Sequence, residues 1–208
     1  MKHACMHGAR ALFTALALVT AASSTWAHDN HAHHGHAPKS AGTVRLQLPD
    51  TALTDHRGKT ARFKSQLLGD RLVLVNFIYT TCTTVCPAHS ALFADVQQRL
   101  GERAGRDVAL VTLTVDPVRD TPLRLKEFSA PYQPGAGWSF LGGRKQNVDE
   151  VLKALDAYTP NFVDHPAAVL VGDPRTGEWT RFFGFPSSAQ LLARVDELQA
   201  ARQAATGN

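Results

Sequence analysis

Cysteine is scarce in this chain, and its scarcity narrows the chemistry more than any other feature. Three cysteines in 208 residues are too few for a small disulfide-stapled scaffold. Cys5 precedes an apolar segment at the start of the chain, so Cys82 and Cys86 are the only pair in its body. A bridge between residues four apart closes a tiny loop and stabilises little, because the entropic gain grows with loop length. Long hydrophobic runs are also missing. The apolar segment 11–22 falls short of the ~20 residues that a membrane-spanning helix needs. Clustered charge is missing as well: 22 basic and 18 acidic residues give a formal charge of +4, and the basic residues are scattered singly. That pattern argues against a nucleic-acid partner. An apolar share of 44% excludes bulk disorder.

The chain opens with Lys2 and Arg10 around a short polar stretch, the apolar segment 11–22, and small residues before Ala27. This is the layout of a cleavable signal peptide over residues 1–27, so the protein is expected to be exported, periplasmic and soluble, with no permanent membrane anchor. An uncleaved anchor is the blander alternative. Residues 28–42 read as a His-rich flexible leader, with His28, His31, His33, His34 and His36 and almost nothing apolar. Imidazole suits copper, zinc and nickel, which makes these histidines auxiliary metal ligands; the alternative is a soluble linker. The folded domain is expected over 43–203, with 204–208 as a tail.

Within that domain, strand and helix patterns alternate. Residues 44–48 alternate apolar and polar, and Asp55-His56-Arg57-Gly58 marks a turn between short strands, an N-terminal β-hairpin. Residues 71–79 and 108–115 are apolar, β-branched runs that suit buried central strands. Residues 87–100 place Leu92, Phe93, Val96 and Leu100 on one helical face, and Pro122 opens a second helix. A short strand over 139–141, a helix over 148–158, a hairpin of 167–172 with 179–183, and a final helix over 187–202 complete the pattern. A β-α-β half followed by a β-β-α half predicts an α/β, thioredoxin-like fold, a central mixed sheet flanked by helices.

The dithiol lies where the first central strand gives way to its helix, in the segment NFIYTTCTTVCP over residues 76–87. Open α/β sheets place their sites in that crevice, and a helix N-terminus favours thiolate over thiol. Pro87 in the first turn is expected to hold Cys86 out of helical geometry. Three residues separate the cysteines, where redox thioredoxins have two. That spacing leaves metal binding and disulfide exchange both open. Asp120 or Thr121 is expected to cap the helix begun by Pro122, Arg119 to pair with a nearby carboxylate, His89 to be structural, and His56 to be exposed.

NFIYTTCTTVCP, together with VDPVRDTP over 115–122 and Val163-Asp164-His165, resembles the Sco/SenC family of copper proteins over about residues 43–203. The resemblance implies a thioredoxin fold and one copper ion, Cu(I) or Cu(II), held by Cys82, Cys86 and His165. It implies a metallochaperone that supports assembly of the cytochrome c oxidase copper centre. The partner is then a copper-receiving protein, such as the subunit that carries that centre. Asp164 could orient the His165 ring from behind. Pro166 departs from the Ser or Thr frequent in the family. It stands where thioredoxin-like oxidoreductases have a proline facing their dithiol, which supports the alternative: an enzyme in which Cys82 and Cys86 are catalytic and reduce the cysteines of a copper-receiving protein, with a thiol reductant as a further partner. A peroxidase on the same fold ranks last, because the Thr80–Thr84 segment supplies no peroxide site.

Overall fold

The structure, a computed structural model, describes residues 42–207. The expected signal peptide and His28, His31, His33, His34 and His36 lie outside the described residues. The strands are β1 (Gly42–Arg45), β2 (Ala52–Asp55), β3 (Thr60–Arg62), β4 (Leu72–Ile78), β5 (Val108–Thr114), β6 (Trp138–Gly142), β7 (Ala168–Asp173) and β8 (Glu178–Phe183). The α-helices are α1 (Val85–Leu100), α2 (Pro122–Ser129), α3 (Lys145–Ala154) and α4 (Ser188–Thr206).

The eight strands among the described residues join in one sheet, ordered β1-β8-β7-β4-β5-β6-β2-β3. β4, β5 and β6 run parallel, in register Leu72 with Val108 and Leu110 with Trp138, whereas β7 lies antiparallel on the other side of β4. Every residue of β4 and β5 is buried, as a strand covered on both faces requires. The period of two sorts their side chains. Val73, Val75 and Phe77 face a core shared with Val148, Val151 and Leu152 of α3. Leu72, Leu74 and Ile78 face Phe93 and Val96 of α1 and Leu191 and Val195 of α4. Gly172 marks one close approach, since a side-chain carbon there would stand 2.2 Å from the ring of buried Trp179.

This is the thioredoxin-like sandwich that the alternation predicts. The expected hairpin is β2–β3, and it is attached to β6, while β1 closes the opposite edge against β8. Residues 63–68, for which no element was expected, form a turn of π-helix that burial of Phe63 and Leu68 accounts for. Two expectations need correction. The dithiol helix starts at Val85, so Cys86 is already helical; the missing N–H of Pro87 costs nothing in a first turn, and this outweighs the steric bias against helix in the residue before it. His56 is 5% exposed, because its ring stands edge-on to Phe140, with centroids 5.6 Å apart.

Candidate metal and thiol site

β4 ends at Ile78, and the chain reaches α1 through residues 79–84. β4 has its parallel partner β5 on one side and antiparallel β7 on the other, so this loop lies at the switch point where open α/β sheets leave a crevice. The Cys82 N–H donates to the Tyr79 carbonyl across 3.1 Å and closes a tight turn. Cys82 is half-buried, and Cys86, in the first turn of α1, is fully buried beside Ile78 and Phe93.

The start of α1 shows why the sulfurs are not equivalent. Thr84 stands at the N-cap without a side-chain cap; instead the Cys86 N–H donates to Cys82 Sγ at 3.4 Å. An amide that the helix itself leaves unpaired therefore points at one sulfur. Burial pushes the Cys82 thiol up, but donation from the Cys86 thiol, the Cys86 and Thr84 amides and the Tyr79 hydroxyl outweighs it and brings Cys82 down to about 7. Burial pushes Cys86 up to about 12, and giving its own proton to Cys82 pushes it the same way. Cys82 is the thiolate of the pair near neutral pH, and Cys86 keeps its proton.

His165 follows a single 3-10 turn, Phe162–Asp164, and precedes β7. Its Nδ1 lies 2.8 Å from the Phe162 carbonyl. A carbonyl oxygen only accepts, so that nitrogen carries the proton and Nε2 keeps its lone pair. The ring packs edge-on to Tyr79, with centroids 5.7 Å apart. Tyr79 also packs on Phe162 at 5.1 Å, and its hydroxyl helps to lower the Cys82 thiol. One side chain thus packs on the imidazole and acts on the thiolate. As placed, no three His, Cys, Asp or Glu side chains among the described residues stand close enough together to hold an ion.

Asp164 does not orient the imidazole. Its Oδ2 accepts from Asn161 Nδ2 at 3.0 Å, and the Phe162 carbonyl takes the orienting role. His89 is 1% exposed and donates from Nε2 to the Gly184 carbonyl at 2.9 Å, tying α1 to the loop after β8. Arg119 pairs with Asp116 at 3.0 Å and lies 5.5 Å from the centre of the Phe162 ring. Thr121 caps α2 by accepting the Arg124 N–H. Asp120, the other expected cap, instead turns inward and accepts the Thr80 N–H and hydroxyl and the Thr114 hydroxyl. Sequence spacing gave no sign of this, because Thr80 and Asp120 are 40 residues apart.

Comparison with known proteins completes the description. The sequence model of the SCO1/SenC family matches residues 48–199. The chain is 36% identical over 103 residues to the SCO1 protein homolog of Bacillus subtilis, an alignment that covers 48% of this chain and 52% of that protein. It thus spans about half the length of that relative. Among solved structures, ScoI of Bradyrhizobium japonicum with copper bound superposes with a TM-score of 0.60 at 27% identity, covering 73% of this chain and 98% of that one. BsSco, a member of the Sco family of cytochrome c oxidase assembly proteins in which a disulfide switch was identified, superposes with a TM-score of 0.62 at 26% identity, covering 75% of this chain and 95% of that one.

Proposed function

The chain belongs to the SCO1/SenC family, and from that membership we propose that it is a metallochaperone that carries one copper ion on Cys82, Cys86 and His165 and serves assembly of the cytochrome c oxidase copper centre. The observation that carries the reading is the place of Tyr79: its ring packs on His165, its carbonyl holds the Cys82 N–H, and His165 Nε2 has no hydrogen-bond partner among the described residues. Two thiolates and an imidazole suit a three-coordinate Cu(I), or Cu(II) with one further ligand. Copper is the cargo here. Its capture displaces the Cys86 proton and draws the His165 segment towards the sulfurs. Transfer to a receiving protein then proceeds by stepwise exchange of thiolate and imidazole ligands. Export on residues 1–27 belongs to the same proposal, with His28, His31, His33, His34 and His36 as auxiliary copper ligands; among the described residues no helix is long and apolar enough to cross a membrane.

Copper titration of the reduced protein tests this. Wild type is expected to bind one equivalent at the dithiol with thiolate-to-copper charge-transfer absorption, and His165→Ala is expected to bind at least tenfold more weakly, about 1.4 kcal/mol. Equal binding by the two proteins removes His165 from the ligand set.

The split acidity of the thiols favours one second reading, a thiol–disulfide oxidoreductase. The Cys82 thiolate attacks a disulfide of the copper-receiving protein and forms a mixed disulfide, releasing one partner thiolate, which takes up a proton. Cys86 then loses its proton and attacks Cys82 Sγ, which leaves a Cys82–Cys86 disulfide and a reduced partner. An external dithiol reductant restores the pair. Cys86→Ser is expected to trap the mixed disulfide on this reading, and no trapped species forms if copper carriage is the whole activity.

A further inference from the structure

Among the described residues, the hydrogen bonds that tie the Thr80–Thr84 turn to a segment distant in sequence all end on Asp120. This carboxylate is 2% exposed. It accepts the Thr80 N–H at 3.1 and 3.2 Å and the Thr80 hydroxyl at 2.6 Å. It also accepts the hydroxyl of Thr114, the last residue of β5. Asp120 is itself fixed, because its N–H donates to the Asp116 carbonyl at 3.0 Å and Asp116 in turn receives Arg119.

From Thr80 the restraint runs on through short links. Tyr79 and Thr80 begin the turn, the Tyr79 carbonyl holds the Cys82 N–H, and Cys82 Sγ holds the Cys86 N–H. Thr81, Thr83 and Thr84 are exposed, and Thr84 makes no cap, so nothing else on the turn competes for this role. Burying a carboxylate is costly, whereas joining two threonines across a strand end would need only a neutral amide. A carboxylate differs in being an acceptor at every lone pair, and it meets three donors here without turning one away.

We propose that Asp120 is the positioning residue of the dithiol: it anchors Thr80 to the end of β5 and thereby sets how Cys82 and Cys86 present their sulfurs to the copper cargo. The inference deepens the metallochaperone reading and rests on it. Asp120 touches no sulfur and acts through Thr80. Hydrogen bonds to a carboxylate are the strong ones; burial raises the Asp120 carboxyl and the Thr114 and Thr80 donors offset part of that rise, so loss of one from the turn is felt as a wider spread of sulfur positions.

Three variants test this: Asp120→Asn, Thr80→Val and Thr80→Ser. Thr80→Val keeps the shape of the side chain and loses the donor; Thr80→Ser restores the donor. Cu(I) affinity is read by competition with a chromophoric chelator, and circular dichroism verifies the fold. Thr80→Val and Asp120→Asn are expected to weaken copper binding about tenfold, and Thr80→Ser to stay within about twofold of wild type. A merely structural contact would lower the unfolding temperature of all three without separating Val from Ser in affinity. Wild-type affinity in both Thr80→Val and Asp120→Asn overturns the proposal. If Asp120→Asn does not fold, the Thr80 pair decides. Should wild type take up no copper, the metallochaperone reading fails, and hydrogen exchange in the metal-free protein decides the positioning role. Exchange of the Cys82 and Cys86 amides about tenfold faster in Thr80→Val but not in Thr80→Ser supports it, and equal protection in both contradicts it.

Discussion

Cys82 and Cys86 lie within one turn of backbone, yet one thiol is drawn down to about 7 and the other is pushed up to about 12. Burial of Cys86 raises one, and donation from the Cys86 thiol and amide lowers the other. Alkylation of the metal-free protein reads this out residue by residue. Cys82 is expected to react with iodoacetamide along a pH curve with its midpoint near 7, about hundredfold slower at two pH units below the midpoint. Cys86 is expected to stay unmodified until the protein unfolds. Tyr79→Phe removes a donor from the thiolate but keeps the ring against His165, so the Cys82 midpoint is expected to rise. A midpoint unmoved by Tyr79→Phe would show that the hydroxyl does not reach the sulfur. At this scale the sequence singles out Cys82, Cys86 and His165 as candidate ligands by type and order. It names Asp120 only as one of two candidate caps, because the bonds to Thr80 join residues remote along the chain, and it leaves Asp164 open between a loop carboxylate and an orienting role that the Phe162 carbonyl takes.

The elements were legible where periodicity was strong: β4 and β5 as continuous apolar runs, α1 and α4 as amphipathic repeats. They were less legible where tertiary contacts decide. The turn at 63–68 is held by two buried side chains, and β1 finds its partner β8 from the far end of the chain. The closure of α4 on the sheet was likewise invisible in local pattern. Arg202 donates to both oxygens of buried Asp173 in β7, at 2.7 and 2.6 Å. Burial pushes the Asp173 carboxyl up, but Arg202 and the Arg175 amide outweigh it and hold it below the usual 3.8. A carboxyl lowered on folding stabilises the fold at pH above its ordinary value, and the gain is lost as pH falls through the folded value. Asp173→Asn is therefore expected to cost about 3 kcal/mol at pH 7, the scale of a broken buried pair, and less at pH 3, where part of the ionic gain is lost. Urea unfolding at the two pH values measures this, and a cost independent of pH would contradict the ionic account.

On the scale of the whole molecule, two halves of the chain meet at one end of the central strands. β4-α1-β5 brings the thiols, and the segment entering β7 brings His165 to the same Tyr79. Thioredoxin-like architecture could be read from the order of strands and helices, because a dithiol between a central strand and its helix fixes which end of the sheet is functional. What sequence could not supply is where the imidazole rests, which follows from how the 3-10 turn at Phe162–Asp164 seats the ring on Tyr79. The account therefore requires His165 to move inward when copper arrives. X-ray absorption at the copper edge of the loaded protein tests that requirement and the ligand set together. Wild type is expected to show two sulfur scatterers and one imidazole nitrogen, and His165→Ala to keep the sulfurs and lose the imidazole signal. A wild-type spectrum with fewer than two sulfurs, or an imidazole signal that survives in His165→Ala, would contradict the assignment of Cys82, Cys86 and His165 as the copper ligands.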